Sequence, residues 1–366
     1  MKRIGANIAS QRALGAIVIF AILCFCAGAA LAYEREETVH KQIELQGAKS
    51  VVIANSRGDV RVIGEKGRSD ISCEYTKRIR GKDQDEANRL FDRMDVEVER
   101  EGAGVKLTVH YPDRSDGDRN ILALLIQRYT GLSVDMNVLV PAGLSVKIIT
   151  SSGDVQLASV AGASEITSAS GDVEVTGVGN LKVDVSSGDI VVSGVAGDAF
   201  LSSASGDIEA HNVKGAAGVQ AASGDIVLSD IGGSLTVASV SGDTEVDGAA
   251  GVVFSGTSGS ARLIGVRGGV AATVASGDVE VSAAPESAAN FEIRTSSGQI
   301  ELRFESVLRG GFALKAQTTS GDISVNLPIN VTKVSRHYLT GVVREGKSVV
   351  VLETASGDIA VGEQGE

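Results

Sequence analysis

The chain has 366 residues, a formal net charge of −12 at neutral pH, and 43% hydrophobic but only 4% aromatic residues. This acidity argues against binding to nucleic acid or to an anionic membrane by general electrostatics. The 45 glycines and the absence of Trp point to many tight turns around a narrow interior that rings would overfill.

Residues 1–32 open with Lys2, Arg3 and Arg12 and continue in an uncharged apolar run from Ala13 to Ala32, which ends Ala30-Leu31-Ala32. A basic start, an apolar stretch and small residues at its end make a secretory signal, with cleavage expected after Ala32. An uncleaved N-terminal anchor is the alternative, because the twenty residues are enough to span a bilayer. Phe25 stands before Cys26 where a lipoprotein signal wants a small residue. The expected location is therefore exported, in the periplasm or on the cell surface. Cleavage leaves Cys73 as the one cysteine of the mature chain, so no disulfide forms within it.

Residues 33–134 read as an N-terminal cap with a first coil, a short helix and an insertion. Val51 to Asn55 and Val60 to Val62 flank Arg57-Gly58-Asp59 as two strands around a turn, so this tripeptide reads as a corner and not as an integrin ligand. Asp70 to Arg78 reads as a strand. Ala87, Leu90, Phe91 and Met94 recur at helical spacing, which predicts an amphipathic helix over Asp83 to Met94 covering one end of the apolar interior. Val96 to Val98 and Val105 to Val109 are expected to pair as a hairpin around Gly102 to Gly104. Ile121 to Ile126 is an apolar patch read as a packed insertion.

Residues 135–282 carry Ser-Gly-Asp every seventeen or eighteen residues, at Gly153-Asp154, Gly171-Asp172, Gly188-Asp189, Gly206-Asp207, Gly224-Asp225 and Gly242-Asp243, then, after a degenerate copy at Ser260, at Gly277-Asp278. Apolar residues alternate on both sides of each turn, as on strands with one buried face. After the turn come Val155 and Leu157, Val173 and Val175, Ile190 and Val192, Ile226 and Leu228, Val279 and Val281. Before it stand Ile148, Ile166, Val183, Leu201, Val219, Val237, Phe254 and Ala272. Lys147, Glu165, Lys182, Thr167, Asp184, Ser202 and Gln220 occupy the solvated positions between. A second outward column alternates Glu174, Glu209, Glu245 and Glu280 with Val191, Val227 and Arg262. Each unit closes on a second glycine, among them Gly162, Gly179, Gly197 and Gly215.

One such unit cannot bury its apolar edge alone and must stack on its neighbours. The fold class expected is all-β: a single-chain parallel β-solenoid of about 18-residue coils with a small N-terminal α/β cap. About ten coils at about 4.8 Å would make a rod on the order of 50 Å long, right-handed by the usual sense of parallel crossovers. Residues 283–366 continue it with longer coils, at Gly321-Asp322 and Gly357-Asp358, and with loops that protrude around Pro285, Pro328 and Arg336 to Lys347.

The repeat-turn Gly and Asp residues are read as structural: Gly permits positive φ and the Asp oxygens accept backbone N–H bonds. Calcium held between coils is the competing reading, and stacked carboxylates leave it open. Neither a catalytic nor a metal-binding residue set is expected: His40, His110, His211 and His337 share no ligand spacing, and Cys73 has no catalytic signature. A carbohydrate-active β-helix enzyme is the weakest alternative, since no long loops wall a cleft over the regular coils.

The early Asn55-x-x-Gly58-Asp59 coil, the run Val138 to Leu144 entering Thr150 to Val155, and the late Thr318 to Ile323 and Thr354 to Ile359 corners resemble the bacterial β-strand-repeat family labelled putative adhesins, over about Val39 to Val361. The resemblance implies a β-solenoid with no catalytic or binding residues to carry over. The function expected is a non-catalytic envelope binding or scaffolding rod, its unknown partner a glycan or a protein. A self-assembling envelope filament is the alternative.

Overall fold

The computed structural model describes residues 19–20, 33–81, 84–112, 131–285, 289–305 and 310–363. Apart from Ile19–Phe20, which pairs antiparallel with Val39 and Thr38, the leader lies outside these residues, as does the apolar patch at 121–126.

The alternating segments form strands, and the described residues make an all-β fold with one helix, Gln84–Phe91. Through the regular region each strand pairs in parallel with the strand one repeat further on: Val155 lies opposite Val173, and Val173 opposite Ile190. Two ladders result. Ladder A stacks Ser145–Thr150, Ser164–Ser168, Leu181–Val185, Ala199–Ser203 and Ala217–Ser223. Ladder B stacks Val60–Glu65, Val155–Ala158, Val173–Val178, Ile190–Val195 and Ile208–Val213. Ile226–Ser241 and Thr244–Ser258 are long enough to serve both ladders in turn.

Every inward column read from the sequence is buried, and the apolar residues form one continuous core. Val, Ile, Leu and Ala fill its regular part, where Phe254 is the one buried ring. The other buried rings sit near the ends. Tyr75 and Phe91 lie at the N-terminal end; Phe291, Phe304 and Phe312 pack together at the other, with centroids 5.3 and 5.2 Å apart. The alternating outward column of ladder B is also in register, and Arg262 lies 3.9 Å from Glu245 and 4.0 Å from Glu280.

At both ends the stacking order departs from chain order. Ser50–Asn55 lies between Gly104–His110 and Ser145–Thr150, and Val60–Glu65 between Gly131–Pro141 and Val155–Ala158. Likewise Ser348–Ser356 is inserted between Phe291–Ser297 and Phe312–Gln317, and Ile359–Glu363 between Ile300–Phe304 and Ile323–Asn326. Ser50–Asn55, Val60–Glu65, Ser348–Ser356 and Ile359–Glu363 are thus each paired on both edges, which protects them from fraying. The excursion expected at the C-terminal end is an antiparallel pair, Asn330–Ser335 with Tyr338–Val343.

The N-terminal end is closed. The helix, one turn shorter at its C-terminal end than its periodicity predicts, buries Ala87 and Phe91 against Asp70–Gly81 and Tyr33–Glu44. Arg35 and Lys77 lie over the Phe91 ring at 4.1 and 4.7 Å. The expected hairpin is Asp95–Glu101 with Gly104–His110. Side chains tie its outer edge to Tyr33–Glu44 and the turn that follows: Lys41 donates to the Val96 carbonyl, and Arg100 to those of Glu44 and Leu45. Cys73 is buried here, and burial pushes its thiol up to about 12.

Candidate functional site

The Ser-Gly-Asp corners stack into one edge of the molecule. Their glycines adopt positive φ, from 114° at Gly171 to 151° at Gly321. A Cβ on Gly206 would lie 2.2 Å from the Gly188 carbonyl oxygen, so neither the dihedral nor the space admits a side chain. Gly58 joins the same column, since a Cβ on Gly153 would meet its carbonyl oxygen at 2.3 Å.

Each aspartate reaches along the column to its neighbour. Asp154 Oδ1 accepts the N–H of Asp172 at 3.0 Å, and the same bond joins Asp172 to Asp189, Asp189 to Asp207, Asp207 to Asp225 and Asp225 to Asp243 at 2.8–3.0 Å. Asp278 accepts from Gln299 at 2.7 Å and Asp358 from Asp322 at 2.8 Å. One oxygen of each of these carboxylates therefore serves a backbone donor. Behind the corners, Thr295, Thr318 and Thr354 donate from the core to the carbonyls of Gly277, Gly357 and Gly298 at 3.0–3.2 Å. Among the described residues no group of three or more His, Cys, Asp or Glu is gathered to hold a metal ion.

The histidines lie apart. His211 Nδ1 is 2.5 Å from Ser229 Oγ and Nε2 is 2.5 Å from Glu209. That line resembles a hydrolytic triad in composition only. Ser229 lies in register between His211 and Asp247 on adjacent parallel strands.

The outer face of ladder A carries the feature that the periodicity alone does not announce. Lys147, Glu165 and Lys182 stand in one outward row, which continues in register as Phe200, Gly218, Thr236, Val253 and Ala271 before charge returns at Glu292. The adjacent row runs Ser202, Gln220, Ala238, Ser255 and Thr273 between Asp184 and Arg294. Five coils at about 4.8 Å give an uncharged strip on the order of 20 Å long. Phe200 is 57% exposed and Val253 53%. The Phe200 ring leans over Gly218, where a Cβ would meet its Cδ1 at 2.9 Å. A groove of about 550 Å³ adjoins the ring, lined also by Lys147, Glu165, Asn180, Lys182 and Asp198. An aromatic in a column otherwise read as solvated was the sequence signal for this surface.

Strands stacked one repeat apart, with functional groups spread over faces and not gathered in a cleft, define a β-repeat protein. The family model described as Toastrack DUF4097 matches residues 48–250 and 249–362, and the chain belongs to that family. Three solved structures are similar to it at low identity. A putative adhesin from Parabacteroides distasonis ATCC 8503 is 16% identical, with a TM-score of 0.39, covering 72% of this chain and 96% of that one. A putative adhesin from Bacteroides fragilis NCTC 9343 is 15% identical, with a TM-score of 0.37 and the same coverages, 72% and 96%. A putative lipid binding protein, also from Parabacteroides distasonis ATCC 8503, is 15% identical, with a TM-score of 0.34, covering 90% of this chain and 97% of that one. No curated protein matches the chain.

Proposed function

We propose that the chain is an exported, non-catalytic rod, a right-handed β-solenoid of 17- or 18-residue coils, that binds a repetitive, uncharged envelope partner, a glycan, along the outer face of ladder A. The observation that carries this reading is the neutral strip that exposes Phe200 and Val253 in a chain of net charge −12. A half-exposed ring presents a flat apolar surface on which the C–H face of a sugar ring can stack. The Ser, Thr and Gln side chains beside it offer hydroxyl and amide groups at the coil spacing. Each contact is weak, and their repetition along a stiff array makes the total useful. In the same reading the Gly and Asp corners set the spacing of the array and make no contact with the partner.

Co-sedimentation of the chain with insoluble neutral polysaccharides and with peptidoglycan tests this. Binding to at least one of them is expected, and Phe200→Ala with Val253→Asp should weaken it about tenfold, the size of losing roughly 1.4 kcal/mol of contact. Binding that survives both substitutions overturns the assignment of this face.

A further inference from the structure

The two ends of the molecule differ in how they finish. At the N-terminal end Lys41 and Arg100 bridge Asp95–Glu101 and the end of Tyr33–Glu44, Lys41 donating to the Val96 carbonyl and Arg100 to those of Glu44 and Leu45. At the other end ladder A finishes in Asn330–Ser335, which pairs with Tyr338–Val343 on one side and, among the described residues, with no strand on the other. All six residues of this strand are exposed, Val334 at 67% and Val331 at 49%. Their positions are not outward ones. Val334 lies opposite Leu339, which is buried, and Val331 opposite Gly341, so both share the face that continues the core. Ile323, Val325, Leu327 and Ile329 beside them are only partly buried against it. An unpaired strand edge beside uncovered apolar side chains is an arrangement that soluble β proteins guard against unless something pairs with it.

The local charge selects the occupant. Segment 327–347 carries Lys333, Arg336, Arg344 and Lys347 against the single acid Glu345, inside a chain whose formal net charge is −12. A second copy fits poorly with its like end. Two C-terminal ends would bring these cations together. The Arg336 contact to Asp322 is 3.9 Å long, with both side chains about four-fifths exposed, and yields readily to a closer carboxylate.

We propose that this end docks an extended acidic segment of another protein, which adds as a strand to the free edge of Asn330–Ser335. Its apolar side chains, alternating with the acids, cover Val331 and Val334, while its carboxylates lie beside Lys333 and Arg336. This does not depend on the glycan reading, because it uses the end of the rod and not its side.

Fluorescence anisotropy of a labelled peptide of alternating Val and Glu, titrated with the full chain at low ionic strength, is the test, with an alternating Val and Lys peptide as the counterpart. The Glu peptide should bind, and the Lys peptide should not. Val334→Glu and the pair Lys333→Glu with Arg336→Glu should each weaken binding about tenfold or more, and salt near 0.5 M should weaken it as well. The altered side chains are exposed, so an unchanged melting temperature shows that the variants fold. No binding of the Glu peptide, equal binding of both peptides, or binding indifferent to the variants overturns the proposal. So does concentration-dependent dimerisation in sedimentation that Val334→Glu abolishes, since the occupant would then be a second copy.

Discussion

A corner glycine meets two demands at once, and the demands come from different distances. Positive φ belongs to the residue itself; the missing Cβ is required by a carbonyl one coil away. Gly206→Ala should therefore cost more than the usual glycine substitution, roughly 2–4 kcal/mol from strain and overpacking together. Gly143, where an added Cβ would have nothing within 4 Å, is the control expected to change stability little. The neighbouring aspartate separates the two readings of the corner. If Asp207 serves as the acceptor for the Asp225 N–H, Asp207→Asn keeps that bond and stays near wild type, while Asp207→Ala loses about 1 kcal/mol. If the column holds calcium, both substitutions lower stability and chelation lowers that of the wild type. Urea unfolding with and without chelator distinguishes the cases.

Among the elements, the inserted coil Ser348–Ser356 has a side chain that fastens it to both neighbours. Glu353 meets Arg294 of Phe291–Ser297 at 2.9 Å and Lys315 of Phe312–Gln317 at 2.5 Å. Hydrogen bonds from Lys315 and then Arg294 hold its carboxyl below the usual glutamate range, and burial opposes them only in part. At the other end burial favours the neutral form of Asp95, but the Tyr75 hydroxyl and Lys41 outweigh it and keep its carboxyl low as well. A carboxylate whose pKa is lowered by folding contributes stability that is fully present above its unfolded value, near 4.5 for Glu353, and is lost as pH falls through the folded value. Amide exchange over 348–356 should accelerate as pH drops below about 4, once corrected for the intrinsic pH dependence. Glu353→Gln should raise that exchange at neutral pH and flatten its acid response; an acid response left intact in the variant would remove Glu353 from the clamp.

For the molecule as a whole, the faces divide by charge. Ladder B presents alternating acids, ladder A a neutral strip, and the C-terminal end a basic edge. A contact on the strip should be nearly indifferent to salt and one at the end sensitive to it, so ionic strength distinguishes the two sites in one preparation. Location bears on both. A tagged chain is expected to be digested by added protease in intact cells, or once the envelope is permeabilised; resistance after permeabilisation, in a chain that is digested when purified, would rule out export.

By itself the sequence determined the strand alternation, the inward columns and the hairpin near Gly102, because each rests on local constraints. Side chains alternate with a period of two, and a corner of this kind tolerates no side chain at its glycine. The strip at Phe200 was already present in the columns as a gap in charge, but alternation reports only which way a residue points and not what five coils make together. The order of the coils at the two ends was decided by the tertiary structure alone. A parallel ladder edge accepts any strand of suitable alternation, so the pattern of Ser348–Ser356 does not say which neighbours it will have. Long excursions at both ends let the chain return between coils already placed, and contacts such as those of Glu353 exist only after it has done so.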